Sequence, residues 1–364
     1  MDRIVEIRLR FSSIVNYLAI LYRLVIAIGF TVVVARRLSI VEFGLWGIIL
    51  SLTAMFITPI ALWSFWAQRY LSRRVKGSFG TGLLLSLIYS CLITPVYISV
   101  GTFLGSIIIK QSLIYIVLSV PYLWLNILNA YLTGIFTIIK PEAIGFRGFI
   151  YETLRLVLAF TFVVYLKLYL IGAILALVFA LLISNIYSLI LLKFTNILEV
   201  SFSRNLVREW LKGFTVPLLG VLYNFLINSI RAFTSVISGS GVPIAYLNVG
   251  LSTQTPIISA STATTPALYA KILKGKRSSD VEEVLRIFVL INALFLSILI
   301  TLSRTIASIF NPIYVDAWII IIVLTLYAFV ESFRAILMTV IMGSVRVDVN
   351  GIKSFKQLIN SGLF

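Results

Sequence analysis

Apolar residues along this chain do not alternate with polar ones, nor do they mark a single stripe of a surface helix. They come in unbroken runs of about 20, roughly the number a helix needs to cross the hydrocarbon core of a bilayer. Ten such runs are delimited: Ser13–Ala35, Gly44–Ala67, Thr81–Leu104, Leu113–Phe136, Phe149–Leu166, Tyr169–Leu192, Phe214–Val236, Pro243–Ala270, Val284–Ser303 and Trp318–Gly343. Backbone groups in hydrocarbon have to satisfy one another, so the runs predict helices, and the period-two pattern of a membrane barrel is absent. The first run is too long for a cleavable signal, carries Arg23 inside it and lacks a small-residue cleavage site.

Composition supports the same conclusion. Hydrophobic residues make up 60% of the 364 and charged residues 12%, with a mean hydropathy of +1.07. Soluble domains run at about 45–50% apolar and about 25% charged. The fold class expected is therefore an all-α polytopic membrane protein with about ten transmembrane helices.

The 30 basic residues orient the chain if the N-terminus is taken as cytoplasmic. Twenty then fall in inside segments: Arg3, Arg8, Arg10; Arg69, Arg73, Arg74, Lys76; Lys140, Arg147; Lys193, Arg204, Arg208, Lys212; Lys271, Lys274, Lys276, Arg277; Arg346, Lys353, Lys356. Five are outside (Arg36, Arg37, Lys110, Lys167, Arg304), and five lie within spans (Arg23, Arg155, Arg231, Arg286, Arg334). That fourfold bias is the positive-inside pattern of a multi-pass protein of the cell membrane. It accounts for most of the +17 net charge, so nucleic acid is not needed as a partner; an anionic lipid leaflet is sufficient.

Several chemistries are excluded outright. With no histidine, a Ser-His-Asp or Cys-His site and any histidine-ligated metal are impossible. Cys91 has no partner for an intramolecular disulfide and reads as a packing residue. No G-x-x-x-x-G-K-[ST] stretch is present, so uphill transport would have to draw on an ion gradient, the substrate's own gradient or another subunit. No metal or cofactor is expected, and no extramembrane segment is large enough to be a catalytic domain. The longest connection, Lys193 to Gly213, interleaves Leu198, Val200, Phe202, Leu206, Val207, Trp210 and Leu211 with Arg204, Arg208 and Lys212, as an amphipathic stretch on a membrane surface does.

An internal repeat organises the runs. Asn16-Tyr17-Leu18 precedes Arg23, and Asn224-Phe225-Leu226 precedes Arg231, each arginine seven positions after its asparagine. Seven residues are about two helical turns, which puts both on one face. The basic loop Arg73-Arg74-Val75-Lys76 likewise finds an echo in Lys274-Gly275-Lys276-Arg277. Six spans separate the copies, so they share one orientation, as parallel repeats do. The domain expectation is a six-helix N-terminal lobe over 1–192, a cytoplasmic amphipathic linker over 193–213, and a C-terminal lobe over 214–364 with about four helices and a tail, two helices short of its counterpart.

The stretch Ala35-Arg36-Arg37-Leu38-Ser39-Ile40-Val41-Glu42-Phe43-Gly44-Leu45-Trp46, running into Ile48-Ile49-Leu50-Ser51-Leu52, resembles the first outer loop and second helix of the Wzx-type polysaccharide-biosynthesis flippases, members of the multidrug/oligosaccharidyl-lipid/polysaccharide exporter superfamily. Glu42, Phe43, Gly44 and Trp46 fit that pattern, as do the basic loop after the second run and an arginine in the first helix of each lobe. The resemblance implies two lobes around a central cavity, no enzymatic activity, and the flipping of a polyprenyl- or dolichyl-linked oligosaccharide by alternating access. It also implies membrane lipids and other polysaccharide-assembly proteins as surroundings. The family has twelve or more helices, whereas Gly351 to Lys356 reads as the approach to an eleventh.

Candidate residues follow from the cost of polar groups in hydrocarbon. An arginine inside a span costs roughly 2.5–3.5 kcal/mol on insertion scales, so Arg23 and Arg231 are the first candidates for a cationic substrate-binding lining that holds phosphate or acidic sugars. Asn16, Asn224 and Asn228 lie near the same faces and could bind sugar hydroxyls or glue helices. Ser252, Thr255, Ser259 and Thr262 step by three or four along a run broken by Pro256 and Pro266, which suits a wet cavity wall. Glu331 and Arg334 share a face near the middle of the tenth run and are the ion-coupling candidates. Glu152 and Arg155 repeat that spacing nearer a membrane surface, where an internally neutralised pair is the simpler reading. Two alternatives stand beside a flippase. An exporter of small amphipathic cations meets repulsion from five intramembrane arginines against two glutamates, and a membrane glycosyltransferase or polymerase would want more outer-loop acids than Glu42 and Asp316.

Overall fold

The structure, a computed structural model, describes residues 9–140, 142–194, 201–259 and 278–344, and among them all regular elements are helical. In chain order these are α1 (Leu9–Arg37), α2 (Ile40–Ile57) passing through a 3-10 turn at Thr58–Ile60 into α3 (Ala61–Ser72), α4 (Ser78–Ser106), α5 (Ser112–Ile139), α6 (Glu142–Ala159) ending in a π-helical turn at Phe160–Tyr165, and α7 (Tyr169–Lys193). There follow α8 (Arg204–Lys212), α9 (Thr215–Asn228), α10 (Ile230–Ser238), α11 (Val242–Thr253), a helical stretch at 255–259, α12 (Ser278–Thr301), α13 (Ser303–Phe310) and α14 (Trp318–Ser344). Seven helical segments among the described residues are long and apolar enough to span a bilayer: Ile40–Ser72, Ser78–Ser106, Ser112–Ile139, Ala143–Tyr165, Tyr169–Lys193, Thr215–Ser238 and Pro312–Met338. These are the second to seventh and the tenth of the expected runs. The ninth falls on α12, which is followed after Leu302 by α13 at an angle of 74°, and the eighth is described only as far as Ser259. The chain is an all-α polytopic membrane protein.

One boundary moves in a way that matters. The fifth span begins at Ala143 and not at Phe149. Arg147, read from sequence as a loop residue, therefore lies inside a helix and is buried. Charge alone would end the span short of Arg147, but packing accommodates that charge within the helix.

The described residues fall into two compact units, Leu21–Asn248 and the combination of Met1–Ile20 with Val249–Phe364. In the first, helices approach closely at glycines. A Cβ on Gly82 would stand 2.6 Å from the Tyr131 hydroxyl oxygen, and one on Gly101 2.8 Å from Ile116 Cγ2, so α4 and α5 meet almost backbone to side chain. Tyr131 donates its hydroxyl to the Phe79 carbonyl at 2.7 Å, and Tyr97 and Ser119 share a 2.7 Å hydrogen bond, which satisfies polar groups buried between the same two helices.

The Glu42-Phe43-Gly44-Trp46 motif is structural. Ser39 caps α2: its hydroxyl accepts the Glu42 backbone N–H at 3.2 Å, while the Glu42 carboxylate accepts the Ser39 backbone N–H at 3.0 Å. Phe43 stacks on Trp46 with ring centroids 5.6 Å apart. A Cβ on Gly44 would stand 2.5 Å from the Gly241 carbonyl oxygen, and one on Gly47 would overlap Asn248 Nδ2, whose amide donates to the Phe43 carbonyl at 3.0 Å. The motif thus seats α2 against α11.

The connection between α7 and α9 holds the expected amphipathic helix. Leu206 and Trp210, one turn apart on α8, are buried, while Arg204, Arg208 and Lys212 are exposed. Tyr70 of α3 packs edge-on to Trp210 and donates its hydroxyl to Glu209 at 2.8 Å. In the second unit, Ile257, Leu299 and Ala328 form one apolar cluster, and Phe288 stacks on Phe329 at 5.8 Å. The Ser332 hydroxyl reaches the Ile257 carbonyl at 3.4 Å.

Glycine 47 is a sharp test of the α2 seat. Gly47→Ala is expected to lower the melting temperature of the detergent-purified protein by several degrees, an overpacking cost of about 1–3 kcal/mol. Gly220→Ala, where a Cβ would meet nothing within 4 Å, should be neutral or slightly stabilising in the same measurement.

Candidate functional site

The buried charged residues among the described ones, Arg147 and Glu152, both lie on α6, which packs against α5 and α7. α1 and α6 run side by side with contacts in rising register. Tyr22 shares a 2.8 Å hydrogen bond with Thr153 and packs on Phe149 at 4.4 Å, while further along Arg155 lies over the Phe30 ring at 4.4 Å. Next to Tyr22, Arg23 is laid against α6: its Cδ, Nε and Cζ are 2.8, 2.9 and 3.0 Å from where a Cβ on Gly148 would stand. Only glycine leaves room for the guanidinium there.

Arg147, the neighbour of that glycine, is 3% exposed. Its Nη2 donates to Asn129 Oδ1 at 2.5 Å and its Nη1 to Thr133 Oγ1 at 3.2 Å, both one turn apart on α5, and Phe136 lies under it at 5.1 Å. Its Nε is buried without an acceptor. The Ser184 hydroxyl of α7 donates to the Arg147 carbonyl at 3.3 Å, and Asn185 Nδ2 donates to the Leu125 carbonyl at 2.9 Å, tying α7 to the same place. Every partner of this guanidinium is neutral, and Arg23 close by adds charge of the same sign.

Two turns on, Arg155 is treated differently. It is ion-paired with Glu152, with side-chain exposures of 14% and 7%, and Tyr151 and Tyr122 belong to the same network. Glu152 and Arg155 are thus a buried pair with no spare charge.

The remaining sequence candidates lie elsewhere. The side chain of Asn16 and all of Thr262 lie outside the described residues. Asn224 lies on α9 and Arg231 on α10, which together make up the seventh span, Thr215–Ser238, with a one-residue break at Ser229 between them. At that break the Asn228 carbonyl accepts the Ser51 hydroxyl, and Ser229 donates to the Phe225 carbonyl at 2.7 Å. Arg231, in the first turn of α10, is half-buried with its Nε lacking an acceptor. Asn224 is exposed and returns its amide to the Gly220 carbonyl at 2.8 Å. Ser252, Thr255 and Ser259 are half-buried, and Thr255 donates to the Ser252 carbonyl at 2.9 Å. Glu331 and Arg334 close on each other in a two-pronged pair, Nε to Oε2 at 2.8 Å and Nη2 to Oε1 at 2.5 Å. Arg147 is the functional candidate that sequence reasoning missed. The glycines at 145 and 148 on either side of it were the available signal, because small residues flanking a charge in an apolar helix make room for a second helix.

Comparison with known proteins returns structures only. No family model matches the chain, and no curated protein matches it. Among solved structures it is similar to a multidrug resistance MATE family transporter of the MOP superfamily in its inward-facing conformation, with a TM-score of 0.67, 17% identity, and coverage of 91% of this chain and 84% of that one. An outward-facing conformation of such a transporter gives 0.64, 16%, 91% and 81%, and a MATE protein in complex with MaL6 gives 0.63, 17%, 91% and 81%. The fold is the one those transporters have.

The Glu152–Arg155 pair can be weighed directly. Glu152→Gln leaves a buried guanidinium without its counter-ion, and a loss of about 3–5 kcal/mol is expected. This should read as a marked fall in melting temperature that the double change Glu152→Gln with Arg155→Gln largely reverses; a single change without effect would mean that the pair is solvated.

Proposed function

We propose that this protein is a membrane transporter that works by alternating access and moves a lipid-linked anionic oligosaccharide, on a polyprenyl or dolichyl phosphate carrier, across the cell membrane. Two lines support alternating access: the two-copy organisation of the sequence, and the likeness to transporters solved in both inward- and outward-facing conformations. The substrate class is supported by charge. Among the described side chains within the spans of Leu21–Asn248, Arg23, Arg147, Arg155 and Arg231 stand against the carboxylate of Glu152, which is already engaged by Arg155. Unneutralised guanidiniums in a medium of low dielectric favour an anion and repel a cation.

That excess is the observation that carries the reading, and it separates it from the second one. The MATE neighbours' multidrug description would favour a small amphipathic substrate. If that substrate were cationic, it would have to enter against the field of Arg23, Arg147 and Arg231. On the proposed reading the N-terminus is cytoplasmic, lobes of 1–192 and 214–364 alternate, and Ser252, Thr255 and Ser259 offer hydroxyls to sugars. Glu331 and Arg334 are the pair whose opening would couple transport to an ion.

Proteoliposomes loaded with a fluorescent lipid-linked oligosaccharide provide the test. Wild type should translocate it, and Arg23→Ala should reduce the rate at least tenfold with the protein still present at wild-type level. Translocation of a lipophilic cation in place of the glycan would overturn the substrate assignment, and metal-dependent sugar transfer by the purified protein would overturn transport itself.

A further inference from the structure

The apolar stripe of α8 is spent on the protein and not on the bilayer. Leu206 and Trp210 are buried, and Tyr70 of α3 both packs on Trp210 at 6.1 Å and donates its hydroxyl to Glu209 at 2.8 Å. Where the chain leaves α8, a Cβ on Gly213 would overlap the Trp66 ring of α3. Where it enters, the Ser203 backbone N–H donates to Thr81 Oγ1 of α4 at 2.9 Å. Just before that, Ser201 Oγ lies 3.1 Å from where a Cβ on Gly77 would stand, in the turn between α3 and α4. α8 is thus fastened at both ends to the α3–α4 turn, within Leu21–Asn248. The fastening makes one surface of two basic segments. Arg204, Arg208 and Lys212 recur every four residues and form a stripe about 200° round the helix from Leu206 and Trp210. They are exposed, as are Arg73, Arg74 and Lys76 of the turn. Against these six cations the two segments hold one carboxylate, Glu209. Phe202, Leu211 and Phe214 are exposed beside the stripe.

We propose that α8 and the α3–α4 turn together form a docking surface for the headgroups of anionic phospholipids. Three observations single out this partner. The surface lies at headgroup level, because the spans Ile40–Ser72, Ser78–Ser106 and Thr215–Ser238 end or begin beside it. Its charge is of one sign and complements a negative leaflet. Its cations are interleaved with exposed Phe202, Leu211 and Phe214, which suit the acyl boundary below the phosphates and would be idle against a soluble anion. A lipid seated here is held by the turn on one side and by α8 on the other, so it tightens the docking of α8. Since α8 lies in the connection between the lobes of 1–192 and 214–364, the charge of the leaflet would bear on how firmly that connection is held. The inference does not depend on what the protein carries.

The full-length protein in detergent micelles, supplied with phosphatidylglycerol or with phosphatidylcholine of the same acyl chains, tests this through its tryptophan fluorescence on heating. Phosphatidylglycerol should raise the melting temperature above the phosphatidylcholine value by about 3 °C or more at saturation. The difference should fall by at least half in about 0.5 M salt, where the Debye length is below about 5 Å. An equal rise with phosphatidylcholine, or with soluble glycerol phosphate in place of the lipid, would overturn the proposal. Arg204→Gln with Arg208→Gln and Lys212→Gln should remove at least half of the difference, and so should Arg74→Gln with Lys76→Gln. Arg204→Lys with Arg208→Lys keeps the charge and should leave the difference intact; a loss as large as in the glutamine variant would mean that the guanidiniums serve the fold and not a headgroup. Lys110→Gln with Lys167→Gln, in loops at the opposite ends of the spans, should change nothing, and an equal loss there would reduce the effect to net charge and sink the docking surface. Trp210→Ala keeps every cation but loosens α8, and should also lose at least half; an unchanged difference would mean that the two segments do not act as one surface. Should Trp210→Ala fail to fold, the variants of exposed residues still decide the matter.

Discussion

A guanidinium removed from water needs something in exchange, and that requirement organises the polar interior of Leu21–Asn248. Arg155 obtains a carboxylate from its own helix. Arg147 obtains an amide oxygen, a hydroxyl and a ring face from α5, enough to fix its direction but not to cancel its charge. Its Nε is left without an acceptor, and neutral partners orient a guanidinium without neutralising it, so its charge is not cancelled by the groups around it.

Register then decides which arginine meets which partner. α1 and α6 are locked at Tyr22 with Thr153 and again at Phe30 with Arg155, and Arg23 falls at Gly148 because those two contacts leave it no alternative. A slip of one residue along α1 would turn its guanidinium by about 100°, away from the glycine that makes room for it. α7 supports α6 from another side through Ser184, whose hydroxyl closes on the Arg147 carbonyl. The placement of both arginines is therefore a consequence of helix packing and not of a flexible loop.

Most of this framework was legible as sequence. Seven of the ten hydrophobic runs reappear as helices of spanning length with ends shifted by a few residues, because burial of apolar side chains in lipid leaves little freedom in choosing elements. The amphipathic α8 was legible for the same reason, with Leu206 and Trp210 on one face and Arg204, Arg208 and Lys212 on the other. What sequence could not supply was any property set by a partner helix. Arg147 looked like a loop residue because nothing local announces Asn129 and Thr133, which are eighteen and fourteen residues away. The one-residue break at Ser229 is not announced by sequence either, since serine is common in apolar helices and its neighbours there, Ser51 and Met55, belong to α2.

The motif that prompts the family resemblance bears on function in an indirect way. Each of its residues is engaged in packing. Glu42 completes a helix cap, Phe43 and Trp46 stack, and Gly44 admits the backbone at Gly241. Side chains spent on packing are not free to recognise a substrate, so the motif can persist wherever this helix arrangement is built, whatever is carried. It follows that the motif speaks for architecture, and that any discrimination between substrates has to reside in groups the architecture does not require.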